Sequence, residues 1–200
     1  MSEENLLSIA GLLSFFLGTI SLYIVNRSTH LKWNEKAAGY ILAWIFLAKS
    51  ISYPCDAYVL EITEGGTKNT PPWEYFYSLS MLTNMLFMPL CFLLSLVFPV
   101  SLLRTRRQLK IGILVFVLLV LHRVMVFVSV GVSPLELVGL EYILTTVVWT
   151  TNYVHFKIKN RQEPNKGHGR IANISALLLM LHTGFNWFIW VGVFTRSDYF

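Results

Sequence analysis

Six apolar stretches, each long enough to cross a bilayer and joined by short polar loops, take up nearly all of the 200 residues. A helix needs about 20 apolar residues to traverse ~30 Å of hydrocarbon. The sequence therefore predicts an all-α, polytopic integral membrane bundle of six transmembrane helices, forming one domain over residues 1–200. The helices fall at about 5–25, 37–60, 75–100, 111–131, 136–156 and 171–194. A charged fraction of 14% and a mean hydropathy of +0.56 agree, and leave no length for a separate soluble domain.

The chain is basic, with 16 Lys and Arg against 11 Asp and Glu. Placement decides what that excess means. Arg27, Lys32 and Lys36, then Arg104, Arg106, Arg107 and Lys110, then Lys157, Lys159, Arg161, Lys166 and Arg170 all fall in loops on one side, against Lys68 and Arg196 on the other. Such a distribution orients a membrane protein; it does not build a nucleic-acid surface. It predicts both termini outside, with loops 26–36, 101–110 and 157–170 in the cytoplasm. The sequons at Asn26 and Asn173 then lie on the cytoplasmic side and read as chance matches.

Other local signals fit this map. The acidic start MSEENLLSIA lacks the basic flank of a secretory signal and reads as a retained first helix. Tyr58, Trp73, Tyr75, Tyr77, Trp190 and Tyr199 mark the outer boundary, and Trp33, Tyr40 and Tyr153 the inner one. Cys55 and Cys91 lie at different depths and are expected as free thiols. The second loop, EITEGGTKNTPPWE, reads as a solvated connector, and Pro134 marks a tight turn that pairs the fourth and fifth helices. Gly11, Ser14, Gly18 and Ser21 form a small-residue stripe on the first helix, expected to pack within the bundle.

The residues that point toward function are the polar ones inside the apolar stretches. Lys49, Asp56, Asn84, Arg123, Glu141, His182 and Asn186 are costly in hydrocarbon and face inward as a rule. Lys49 and Asp56 are two turns apart on one face, with Pro54 between them. Ser80, Asn84 and Cys91 share a face of the third helix, which Pro89 interrupts. Arg123 and Glu141 are placed to pair across the fourth and fifth helices, and Thr145 and Asn152 follow Glu141 on its face. On the sixth helix, Ser175, His182 and Asn186 share a face.

This set predicts a polar cavity that binds or passes a small polar solute, ion or proton, as in a transporter, channel or receptor. Lys49 or Arg123 would attract an anionic group, Asp56 and Glu141 would balance charge or carry protons, and His182 would relay. A second expectation is an intramembrane oxidoreductase or hydrolase using His122 and His182, which are weak metal or haem candidates; Thr83 and His182, at different depths, match poorly as a nucleophile pair. A third is an accessory subunit whose polar groups pair helices within a membrane complex. No HExxH, phosphate-binding glycine loop, zinc cysteine cluster or CxxC occurs, and no lysine on the last helix could carry retinal. The sequence does not identify a cofactor; the expected partners are the lipid bilayer, a small solute or ion, and membrane subunits.

Overall fold

The computed structural model describes residues 3–64, 71–103, 105–130 and 140–195, with 185–195 and positions 3, 4, 60, 62–64, 71, 73, 106, 126, 127, 130 and 165 by backbone alone. The turn with Pro134, the second loop with Lys68 and the chain end with Arg196 and Tyr199 lie outside the described residues, as do the side chains of Trp73, Asn186 and Trp190. Within them the chain is all-helical: α1 (Glu3–Arg27), α2 (Trp33–Glu64), α3 (Pro71–Val97), α4 (Arg106–Val130), α5 (Leu140–Gln162) and α6 (His168–Thr195), with a 3₁₀ turn at Pro164–Lys166 before α6.

Local chemistry accounts for the boundaries. At the start of α2 the Lys32 backbone N–H donates to Glu35 Oε2 at 2.7 Å, one arm of a capping box. At α4 both arms form: Gln108 N–H donates to Thr105 Oγ1 at 3.2 Å, and Thr105 N–H donates to Gln108 Oε1 at 3.1 Å. The third helix ends at Val97, short of the expected 100, because Pro99 disfavours helical geometry at Phe98. The fifth continues past the expected 156 to Gln162, through a stretch in which Lys157, Lys159, Arg161 and Gln162 are good helix formers that water tolerates.

Asn5–Arg27, Glu74–Val97 and Arg107–Met125 are long and apolar enough to cross a membrane. Lys49 and Asp56 with neighbouring serines lower the hydropathy of α2; four threonines, Asn152, Lys157 and Lys159 do the same in α5. The helices form a row with α3 at its centre: α1 packs on α2, α2 on α3, α3 on α4 and α5, and α5 on α6. Accordingly 78% of the α3 span is buried, against 22% for α1 and 17% for α4. Ile41, Ile45, Leu90, Leu93, Leu94 and Val97 anchor an apolar core between α2 and α3. It occupies the half of the bundle nearer the basic connections. Large apolar side chains such as Leu13, Phe16 and Ile20 on α1, and Leu114, Leu118 and Leu121 on α4, are exposed. A hydrocarbon solvent suits those faces; water does not.

The small stripe of α1 packs inside the molecule. A Cβ at Gly11 would stand 2.7 Å from Cδ of Pro54, and one at Gly18 would stand 2.9 Å from Cγ of Leu47 and 3.3 Å from the Ala43 carbonyl. Hydrogen at these positions lets the two backbones approach. Tyr40 Oη donates to Asn26 Oδ1 at 2.6 Å and pins the basic end of the pair. Gly11→Leu, which drives a side chain into a rigid proline ring, is expected to destabilise the fold by ~1–3 kcal/mol. Thermal unfolding in detergent checks this, and a transition temperature equal to wild type would mean that α1 does not rest on α2 there.

Candidate functional site

Two polar groups emerge, one on each side of α3. The first occupies the seam between α2 and α3. Lys49 Nζ donates to Asn84 Oδ1 at 2.8 Å, Asn84 Nδ2 donates to Ser80 Oγ at 3.2 Å, and the Ser80 hydroxyl donates to Asp56 Oδ1. Ser52 Oγ lies 3.0 Å from Asn84 Oδ1 and 3.1 Å from Asp56 Oδ2, so its one proton can serve either. The result is a continuous hydrogen-bonded chain from an ammonium to a carboxylate. Lys49, Ser52, Ser80 and Asn84 are buried, whereas Asp56 is half-buried. Phe87 and Tyr53 stand under the Lys49 ammonium at 4.5 and 5.4 Å, adding cation–π attraction inside a dry environment.

Helical periodicity assembles this seam. Lys49, Ser52 and Asp56 recur at three and four residues on α2, and Ser80 and Asn84 at four on α3, so each set forms one stripe. Thr83, beside them, donates its hydroxyl to the Ser80 carbonyl at 2.8 Å and lies 3.1 Å from that of Leu79. Such back-bonding is how a helical threonine stays satisfied away from water.

The second group belongs to α4, α5 and α6. Arg123 Nε donates to Glu141 Oε1, and both side chains are buried, at 5% and 1% exposure. Glu141 stands in the first turn of α5, where the helix dipole favours a negative charge. Oε2 of Glu141 and Nδ2 of Asn152 are buried without a hydrogen-bond partner. His182 of α6 stacks on Tyr142 with ring centres 4.8 Å apart, meets Trp149 edge-on at 5.3 Å, and has Nε2 3.5 Å from the Tyr142 carbonyl. Trp149 Nε1 donates to the Phe98 carbonyl at 3.3 Å, tying α5 to the basic end of α3.

The two groups share one level of the bundle. Gly112 of α4 packs beside Leu93 and Leu96 of α3. From there Arg123 is about eleven residues away toward the opposite end, and Asn84 about nine to twelve, which at ~1.5 Å per residue sets them side by side across α3. Lys49, bonded to Asn84, is at that level as well.

Among the residues singled out from the sequence, Lys49, Asp56 and Asn84 are brought together, and so are Arg123 and Glu141, with His182 touching the next residue. The two groups do not line one lumen, because α3 stands between them. His122 is exposed on α4, while its neighbour Arg123 is buried. One helical step turns a side chain by about 100°, so the inward turn of Arg123 sends His122 outward, away from any face shared with buried His182. Thr83 is on α3 and His182 contacts α5, so the nucleophile pair is not assembled either. No group of three or more His, Cys, Asp and Glu able to hold a metal forms among the described residues. Cys55 and Cys91 are buried free thiols. Ser80, expected on the face of Asn84, and Ser52, on the stripe between Lys49 and Asp56, are the links of the chain. No family model, curated protein or solved structure matches this chain.

Proposed function

We propose that the chain is a six-span membrane protein, with both termini outside, that binds or passes a small polar solute, ion or proton through its buried polar groups. The observation that carries this reading is the chain Lys49–Asn84–Ser80–Asp56. It runs from a buried cation at mid-depth through fully buried Ser80 to a half-buried carboxylate near the outer boundary, so the chain meets the surface at its Asp56 end. Asp56 exchanges protons or cations with outside water, Ser52 and Ser80 steady its two oxygens, and Asn84 holds the Lys49 ammonium as a fixed positive anchor. The members touch each other directly, so the closed seam suits a proton or a bare ion better than a larger molecule. Pro54 on α2 and the fully buried Pro89 on α3 interrupt the backbone ladders on either side, giving the seam places to bend.

The test is flux into proteoliposomes carrying an internal pH-sensitive dye or an ion-sensitive dye. Asp56→Asn keeps the shape of the side chain and removes its titratable charge. A fall of tenfold or more in the rate relative to the unsubstituted protein is expected. Equal rates in the two proteins, or a wild-type rate no greater than that of empty vesicles for every ion tried, would overturn the reading.

A further inference from the structure

The buried stripe of α5, together with the face of α6 against it, has features of a second polar route that the chain Lys49–Asp56 does not use. Glu141, Thr145, Trp149 and Asn152 are the buried residues of α5 and fall on one face. Two of them keep unsatisfied polar atoms, the acceptor Glu141 Oε2 at the start of the stripe and the donor Asn152 Nδ2 at its end, with residue exposures of 1% and 6%. A buried acceptor or donor without a partner is costly, and proteins commonly resolve it with internal water. Ser175 and Ala172 are fully buried and small, and the Ser175 hydroxyl donates back to the Ile171 carbonyl at 3.0 Å, so its remaining lone pair is an acceptor. Thr145 does likewise, donating to the Glu141 carbonyl at 2.6 Å.

We infer that the α5–α6 seam holds water at both ends, around Asn152 and around Glu141, and that the Trp149 ring between them is the gate of a proton path reaching mid-depth from the basic, cytoplasmic side. The inference rests on the proposed function and gives it a substrate class, protons carried on water. Asn152 lies about 16 Å along α5 from Glu141 at ~1.5 Å per residue, beside the end of α3 that Trp149 grips. Glu141 lies near the level of Lys49 and Asn84. The α2–α3 chain thus serves the outer half of the membrane and the α5–α6 seam the inner half, offset to either side of α3. Among the described residues, Trp149 is held by its 3.3 Å bond to the Phe98 carbonyl and by the edge of His182. When the ring swings aside, a proton arriving through water is accepted by Glu141 Oε2, the carboxylate oxygen that Arg123 Nε does not occupy. The carboxylate becomes a neutral acid, and Arg123 Nε then faces a neutral partner in place of an anionic one.

Silver ion, a water-sized thiol reagent, tests the path apart from any flux. In a chain with Cys55 and Cys91 replaced by alanine, Thr145→Cys, Asn152→Cys and the outward-facing control Val147→Cys are each exposed to silver from the cytoplasmic side of oriented vesicles. The expected result is rapid reaction at N152C, reaction at least tenfold slower at T145C, none at V147C, and acceleration of T145C alone when Trp149→Ala is added. No reaction at N152C, or T145C left inert by Trp149→Ala, overturns the inference. Should a cysteine variant fail to fold by size-exclusion chromatography, pulsed radiolytic footprinting of the unmodified chain replaces it. Oxidation of Tyr142 and His182 by radicals formed in adjacent water supports the wet seam, and their protection sinks it. Silver reactivity without proton flux would discard the transport reading and keep the aqueous seam, while flux with an unreactive seam would do the reverse.

Discussion

Arg123→Ala is expected to lower the stability of the fold by about 3–5 kcal/mol, the loss typical when one member of a buried ion pair is removed and the other stays charged. Glu141 is 1% exposed, and its Oε2 already lacks a partner, so deleting the guanidinium removes a charge-balancing contact from a deeply buried carboxylate. Arg123→Met combined with Glu141→Gln should recover most of the loss, since two neutral side chains of similar volume leave no buried charge behind. Unfolding in detergent, followed by circular dichroism or intrinsic tryptophan fluorescence, reads both variants. A single mutant as stable as wild type would show that the ion pair between α4 and α5 carries no part of the stability. A double mutant no better than the single would show that the guanidinium acts through contacts other than Glu141.

Asn84→Leu should produce a comparable injury on the other side of α3, with a loss of ~2–4 kcal/mol and of the flux assigned to the seam. Its carbonyl oxygen accepts from Lys49 at 2.8 Å and lies 3.0 Å from Ser52, while its amide donates to Ser80 at 3.2 Å. Leucine fills the volume and removes all three contacts, so an ammonium loses an acceptor in a place where lost hydrogen bonds cost most. Adding Lys49→Met to Asn84→Leu should restore stability without restoring flux, because the buried charge that needed the amide is then absent. Melting temperatures of the four proteins in the double-mutant cycle supply the coupling. Additive losses would mean that Lys49 and Asn84 do not depend on each other.

Much of the candidate site was legible because polar groups stand out against an apolar background. Lys49 with Asp56, Asn84 with Ser80, and Arg123 with Glu141 each follow from spacing on a helix or from a short separation in the chain. The division of these residues by α3 was not legible. Hydropathy locates helices along the chain and says which face is polar, yet it carries no information on which helix stands beside which. His122 illustrates the same limit: it is adjacent to Arg123 in sequence, and only the direction in which Arg123 turns decides that the imidazole faces outward. The tie from Trp149 to the Phe98 carbonyl was equally hidden, because it joins residues about fifty apart and leaves no periodic trace.

The sequence by itself determined that the chain is helical, where each helix lies to within a few residues, and which buried charges need a partner, because solvation penalties and backbone periodicity act residue by residue. Only the tertiary structure decided which partner each charge takes and that the polar groups form two sets on either side of a central α3. Those outcomes depend on the lateral order and vertical offset of the helices. Such offsets are set by close contacts such as Gly11 against Pro54 and Gly112 against Leu93, summed over whole helix faces, and no single residue encodes that sum.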